Sequence, residues 1–157
     1  MVLSKIKEIN FGGLFMLSQL YKGINKKSLV ISMIAVFVFI FFAEWVIHGL
    51  LLKGIYTETA SLWRTDEQMK SLCIWMFVGY ALLAKYFTFI YARGCEKGGI
   101  GEGLRFGVLA GLLLSSGSFM WYVVLPITLP LLWYWVAATM FEAIMAGMIV
   151  GAIYKKA

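Results

Sequence analysis

The stretch Leu29–Leu52, LVISMIAVFVFIFFAEWVIHGLLL, decides the fold of this chain, because only two of its residues are ionisable. A transmembrane helix needs about 20 apolar residues to cross a hydrocarbon core. Three further stretches, Ser71–Ala92, Leu104–Leu125 and Leu129–Tyr154, have the same character. Lipid admits only helices and closed barrels, and the chain has no long alternating pattern. The sequence therefore predicts an all-α, polytopic membrane protein with four transmembrane helices in an antiparallel bundle.

Composition and length agree with a single membrane domain. Of the 157 residues, 62% are hydrophobic and 14% are charged, whereas soluble domains average about 25% charged residues. We divide the chain into a cytoplasmic or interfacial N-terminal segment, residues 1–27, and a four-helix transmembrane domain, residues 28–157. The N-terminal segment mixes lysines with apolar residues, which suits a helix lying on the membrane surface. A flexible tail is the alternative interpretation.

The net charge of +6 is unevenly distributed. The side of the membrane that holds both termini carries ten cations, Lys5, Lys7, Lys22, Lys26, Lys27, Arg93, Lys97, Arg105, Lys155 and Lys156, against Lys53, Arg64 and Lys70 on the other side. This asymmetry follows the positive-inside rule and predicts a bacterial inner-membrane protein with both termini in the cytoplasm. Membrane lipids with anionic headgroups are then the expected partners, and nucleic-acid binding is not expected.

Four ionisable residues, Glu44, His48, Lys85 and Glu142, fall inside the predicted spans. Ionisable groups are costly in the membrane, and they usually face the bundle interior and pair with one another. Glu44 and His48 are one helical turn apart, and Lys85 and Glu142 have similar estimated depths, so two ion pairs are predicted. The pairs can fix helix register, handle protons or ions, or bind a ligand such as a quinone.

Small residues recur at a spacing of four in the last two spans. The predicted helix-packing residues are Gly103, Gly107 and Gly111 in the third span and Ala143, Gly147 and Gly151 in the fourth. Small residues at this spacing let helix backbones approach closely in lipid. Pro126 and Pro130 bracket the short connection between the two spans and interrupt the helices there, which predicts an antiparallel hairpin. The stripes alone do not separate packing within the chain from a homodimer face or a substrate groove.

Several chemistries are excluded by residue counts and spacing. One histidine cannot supply a bis-histidine haem site or a three-histidine zinc site. Cys73 and Cys95 are 22 residues apart on one predicted helix, about 33 Å at the usual rise, so they cannot form a disulfide. The glycine-rich run at 98–103 lacks the lysine and the strand context of a phosphate-binding loop. No catalytic residue, metal or cofactor is predicted, and enzyme activity is not expected.

Two segments carry a resemblance to a known group of proteins. The segment Glu44–Arg64, which begins EWVIHGLLLKGIY, and the run EGLRFG at Glu102–Gly107 resemble those of uncharacterised small four-helix proteins of bacterial inner membranes. The resemblance implies the four-helix fold and a bacterial membrane setting. It brings no established activity, so no functional residue is transferred.

The buried acid–base cluster gives the leading functional expectation. Groups of this kind suit transport of protons, an ion or a small solute. Four helices seldom enclose a pathway alone, so a homo-oligomer is expected. The alternative is a non-catalytic subunit that anchors or assembles a larger membrane complex.

Overall fold

The computed structural model describes residues 19–157, and most of the N-terminal segment 1–27 lies outside them. Within the described residues the chain is helical and has no strand. The four long helices are α1 (Lys26–Val46), α3 (Asp66–Gly94), α4 (Ile100–Val124) and α5 (Leu129–Ile153). All four are long and apolar enough to cross a membrane. The predicted fold class, an all-α polytopic membrane protein with four transmembrane helices, is confirmed.

Side-chain caps explain where α1 and α3 begin. Asn25 accepts a hydrogen bond from the backbone N–H of Ser28 at the start of α1. Thr65 and Gln68 form a reciprocal capping box at the start of α3, which satisfies two N–H groups that a helix start leaves free. The cap makes α3 begin five residues before Ser71, the start predicted from hydropathy alone.

The connection between α1 and α3 is largely helical. The last turn of α1 widens into a π-helical segment, Ile47–Leu51, and the short helix α2 follows at Lys53–Glu58. A 3₁₀ turn, Ala60–Leu62, completes the connection. We call this end of the molecule the α2 end, and the opposite end, with residues 94–100 and 153–157, the C-terminal end.

The most extensive helix packing follows the order α3, α1, α5, α4, because α1 contacts both α3 and α5, and α4 packs against α5. The second half of α3 also reaches the hairpin, where Phe87 and Tyr91 contact Phe106 of α4. Helix α1 is antiparallel to α5, because Ser28 near the start of α1 donates to the carbonyl of Ile153 at the end of α5. It is also antiparallel to α3, since Phe41 stacks on Phe77 while Tyr21, just before α1, contacts Phe89.

The buried core lies mainly toward the C-terminal end. There Ala84, Phe87 and Tyr91 of α3 pack with Val36 of α1 and Val150 of α5. At the α2 end, by contrast, residues 64–79 are exposed on every face of α3 over four turns. Apart from the contact of Phe77 with Phe41 of α1, the first half of α3 therefore has little cover within the described part of the chain, and most of its apolar side chains are left to lipid or to another protein.

Candidate functional site

The change from α- to π-helix at the end of α1 positions the only histidine. His48 lies in the π-helical segment, and single π turns occur often at functional sites because they redirect a side chain. The chain then reverses at Leu52, which is buried, and α2 brings Tyr56 back beside the histidine ring. The two rings are near parallel, at 20°, with centroids 5.9 Å apart.

A polar network joins α1, α2 and α5 at this point. The Nε2 atom of His48 lies 3.5 Å from Oε2 of Glu44, and its Nδ1 atom lies 2.6 Å from the hydroxyl oxygen of Tyr56. The indole N–H of Trp135 donates to the same hydroxyl oxygen at 2.8 Å. Four side chains from three helices thus form one continuous line of polar contacts, which we call the Glu44–Trp135 network.

Aromatic side chains cover the network at the α2 end. Trp63 packs edge-on against Tyr56, with ring centroids 5.4 Å apart, and lies 6.1 Å from Trp135. Its indole N–H donates to the hydroxyl of Thr59. Burial raises the pKa of Tyr56 above its ordinary value, and the nearby charge of Glu44 acts in the same direction. The Tyr56 hydroxyl therefore keeps its proton at neutral pH and remains a hydrogen-bond donor.

Glu142 extends the network toward the middle of α5. It lies two turns from Trp135 on the same helix, and its Oε1 atom is buried without a hydrogen-bond partner among residues 19–157. The charge that acts on Glu142 is that of Glu44, and Tyr80 of α3 lies close to both carboxylates. The structure therefore brings two acidic groups together in the spans.

The structure joins Glu44 with His48, as predicted, but it does not form the predicted pair between Lys85 and Glu142. Of the described residues, only His48 places a basic nitrogen within 4.0 Å of a carboxylate. The ammonium of Lys85 instead lies 5.1 Å from the ring centroid of Tyr86. The buried face of α3 at this depth is formed by Ala84, Phe87 and Thr88. Lys85 is only partly buried and lies beside that face, so a similar depth does not bring it to Glu142.

The glycine stripes of α4 and α5 face each other within the chain. A Cβ atom on Gly107 would lie 2.6 Å from the carbonyl oxygen of Ala143, and one on Gly151 would lie 2.5 Å from that of Gly99. The same contact pairs Gly103 with Gly147, and a Cβ on Gly111 would meet the sulfur of Met140 at 2.9 Å. The six predicted helix-packing residues, Gly103, Gly107, Gly111, Ala143, Gly147 and Gly151, are all buried at this contact. The contacts run in opposite directions along the two helices, so α4 and α5 form an antiparallel hairpin.

The carboxylate of Glu102 organises the glycine-rich connection before α4. It accepts hydrogen bonds from the backbone N–H groups of Glu96, Lys97 and Gly98 at 2.7, 3.0 and 2.7 Å. Gly98 and Gly99 have φ values of 77° and 96°, in the left-handed region that favours glycine. The backbone N–H groups that lead into this glycine-rich run, which resembles a phosphate-binding loop in composition, are thus occupied by the side chain of Glu102.

Replacing Glu102 by Gln should loosen this connection. The amide offers one acceptor oxygen in place of two, so it cannot satisfy all three N–H groups, and the loss should be about 1 kcal/mol or more. Trypsin should then cleave after Lys97 several times faster than in the unchanged protein. Glu96→Gln, an exposed neighbour whose carboxylate forms no hydrogen bond in the described chain, is the control. Equal cleavage rates for the two variants would contradict the role given to Glu102.

An apolar groove opens between α1 and α5 near the α2 end. Its volume is about 880 Å³, and its lining comprises Phe39, Phe42, Ala43, Val46, Ile47, Leu51, Leu52, Ile55, Tyr134, Ala138 and Phe141. None of the four predicted ionisable residues lines it. The groove therefore suits hydrocarbon, such as a lipid chain, and offers no charged group to a polar head.

Sequence reasoning missed Tyr56, Tyr80 and Trp135. Tyr56 lies in the connection after the first span, and Trp135 near the start of the last span, where aromatic residues are ordinary membrane-interface anchors. Their role depends on the chain reversal at Leu52, which no pattern in the sequence indicates. In the described chain, no group of three or more His, Cys, Asp or Glu side chains is arranged to hold a metal ion.

Fold and site together define a multi-pass membrane protein with an acid–base network that reaches into its spans. Comparison of the chain with models of known protein families, with curated proteins and with solved structures found no match.

Proposed function

We propose that this chain is a bacterial inner-membrane protein that moves protons, alone or coupled to an ion or a small solute, through Glu44 and Glu142. The observation that carries the proposal is the buried Oε1 atom of Glu142, which has no hydrogen-bond partner in the described chain and lies near a second carboxylate. A structural ion pair would give this atom a cation. A proton carrier instead needs a group that gains and loses its proton without a fixed partner.

The order of the polar groups supports a route along the spans. Tyr56 and His48 lie near the membrane surface at the α2 end, Glu44 lies one turn deeper, and Glu142 lies near the middle of its span. Each of these groups can accept or donate a proton. Ionisable residues in transmembrane helices often form relays of this kind in pumps and transporters. The apolar groups around the network limit leakage of other ions.

The exposed half of α3 supports assembly into an oligomer. Residues 64–79 are exposed in the described chain, although Phe77 stacks on Phe41 of α1, and Tyr80, which follows them, lies close to Glu44 and Glu142. A second copy that packed on α3 would close the side of the network that one chain leaves open. A homo-oligomer therefore fits the proposed pathway better than a monomer does.

The same exposed surface favours a second candidate function from a different class. A non-catalytic subunit that anchors or assembles a larger membrane complex would also present an unpartnered helix. Purification from native membranes in mild detergent separates the two proposals. Other subunits in fixed proportion favour the assembly subunit, and a homo-oligomer that conducts protons favours the carrier.

The proposed orientation places both termini in the cytoplasm, because ten cations lie on their side of the membrane and three lie on the other. A reporter enzyme that is active only in the periplasm should be inactive when fused after Ala157. The same reporter inserted in the connection at 59–65 should be active. The reverse pattern would invert the orientation and would place the α2 end of the network in the cytoplasm.

Proton movement can be tested with purified protein in liposomes that contain a pH-sensitive dye. A potassium diffusion potential should drive proton entry several times faster than in protein-free liposomes. Glu58→Gln removes an exposed carboxylate outside the spans and should conduct like the unchanged protein. Proton entry no faster than in protein-free liposomes, with protein that remains folded, would overturn the uncoupled form of the proposal. Exchange of protons only in the presence of a solute would support the coupled form.

A further inference from the structure

The hydrogen bonds around His48 constrain where its ring carries a proton. The indole N–H of Trp135 can only donate, so the hydroxyl oxygen of Tyr56 receives that hydrogen at 2.8 Å. The Tyr56 hydroxyl then has its own hydrogen to give, and Nδ1 of His48, 2.6 Å away, is placed to accept it. A neutral ring that accepts at Nδ1 must carry its proton on Nε2.

The ring nitrogen that carries the proton faces Glu44. Nε2 of His48 lies 3.5 Å from Oε2 of Glu44, and a neutral ring can donate toward the carboxylate only through an Nε2–H group. With the opposite tautomer, Nδ1–H would point at a hydroxyl oxygen that already receives a hydrogen from Trp135, and an unprotonated Nε2 would face a carboxylate. The second arrangement places two lone-pair groups against each other and is disfavoured.

We infer that Tyr56 and Trp135 are positioning residues that hold the neutral His48 ring in the Nε2–H tautomer, so that the ring donates toward Glu44. Only the purpose of this arrangement rests on the proposed function. That purpose is to keep a hydrogen-bond donor aligned with Glu44, the first carboxylate of the proposed pathway. Trp135 acts through Tyr56 and contacts neither His48 nor Glu44 in the hydrogen-bond network. A residue of α5 thereby determines the proton position on a residue of α1.

The groups that face the ring are few, which makes the assignment testable. Glu44 faces it from α1 and Tyr56 from α2, and no other carboxylate of the described chain lies within 4.0 Å of its nitrogens. The chain contains one histidine. Labelling with ¹⁵N-histidine therefore gives one pair of ring signals, and protonated and unprotonated ring nitrogens differ clearly in chemical shift.

The experiment records these signals for the full chain in lipid bilayers, at a pH where titration of the same signals shows the ring to be neutral. The unchanged protein should contain the Nε2–H tautomer alone. Tyr56→Phe removes the donor to Nδ1 and should yield a mixture of both tautomers. Trp135→Phe keeps Tyr56 but removes the N–H group that donates to its hydroxyl oxygen. This variant should also yield a mixture of both tautomers. Trp133→Phe, an exposed residue of the same helix, should match the unchanged protein.

Two results would overturn the inference. One is an Nδ1–H signal in the unchanged protein, and the other is an unchanged tautomer ratio in both Tyr56→Phe and Trp135→Phe. Neither result depends on proton flux, so failure of the inference is distinct from failure of the proposed function. If both are right, Trp135→Phe should also slow proton entry several-fold, and Trp133→Phe should not.

Discussion

Gly107→Ala should lower stability, whereas Gly117→Ala, the same substitution in the same helix, should not. A Cβ atom on Gly107 would lie 2.6 Å from the carbonyl oxygen of Ala143 and 2.8 Å from Cα of Ile144. Both atoms belong to the backbone of α5, so α4 and α5 must move apart. Forcing extra volume into a packed contact costs about 1–3 kcal/mol. A Cβ atom on Gly117 would have no atom within 4 Å.

Gly117→Ala should therefore leave stability unchanged or raise it by up to about 1 kcal/mol, because alanine reduces the conformational freedom of the unfolded chain. Thermal unfolding in detergent, followed by circular dichroism, measures both variants. Gly107→Leu should lower stability further than Gly107→Ala. Equal unfolding temperatures for Gly107→Ala and Gly117→Ala would contradict the close contact between α4 and α5.

Glu142→Gln should raise the unfolding temperature. The Oε1 atom of Glu142 is buried without a hydrogen-bond partner in the described chain, and the charge near it is another carboxylate, Glu44. The neutral amide has nearly the same shape, removes the repulsion between the two acids, and offers an N–H₂ group that can donate to Glu44. Relieving one unsatisfied buried group is worth about 1–3 kcal/mol.

Two controls show whether this gain is specific. Glu58→Gln removes an exposed acid and should change stability by less than about 0.5 kcal/mol, as is usual for surface sites. Lys85→Met should also have little effect, because Lys85 has no carboxylate within 4.0 Å in the described chain. A loss of about 3–5 kcal/mol in Glu142→Gln is the result expected for a broken buried ion pair. If Lys85→Met lost a similar amount of stability, the result would support the ion pair between Lys85 and Glu142 that the sequence predicted.

The contrast between the glycine stripes and Lys85 shows what the sequence alone can predict here. Glycines at a spacing of four mark one face of a helix, and the short connection at Pro126 forces α4 and α5 to be neighbours. The packing face and the neighbouring helix could therefore both be predicted, while the choice between packing within the chain, a homodimer face and a substrate groove stayed open until the structure showed the contact between α4 and α5. For Lys85, hydropathy gave only a depth along the helix. Whether a side chain at that depth faces Glu142 depends on how α3 is rotated in the bundle, and the face that α3 buries carries Ala84, Phe87 and Thr88.

The contacts around His48 could not all be predicted from the sequence, for a different reason. The pair of Glu44 and His48 follows from their spacing on one helix, so it could be predicted. Tyr56 reaches the ring only because the helix widens at Ile47–Leu51 and the chain reverses at Leu52. These are backbone changes over a few residues in a uniformly apolar run, and neither periodicity nor composition indicates them.

The most direct test of the central claim is the rate of proton entry into liposomes that contain Glu142→Gln, measured at a fixed potassium diffusion potential. We predict that Glu142→Gln is folded and at least as stable as the unchanged protein. Protons should enter its liposomes no faster than they enter protein-free liposomes, whereas Glu58→Gln should conduct protons like the unchanged protein. Proton entry in Glu142→Gln at the rate of the unchanged protein would contradict the claim that Glu142 carries protons through the membrane.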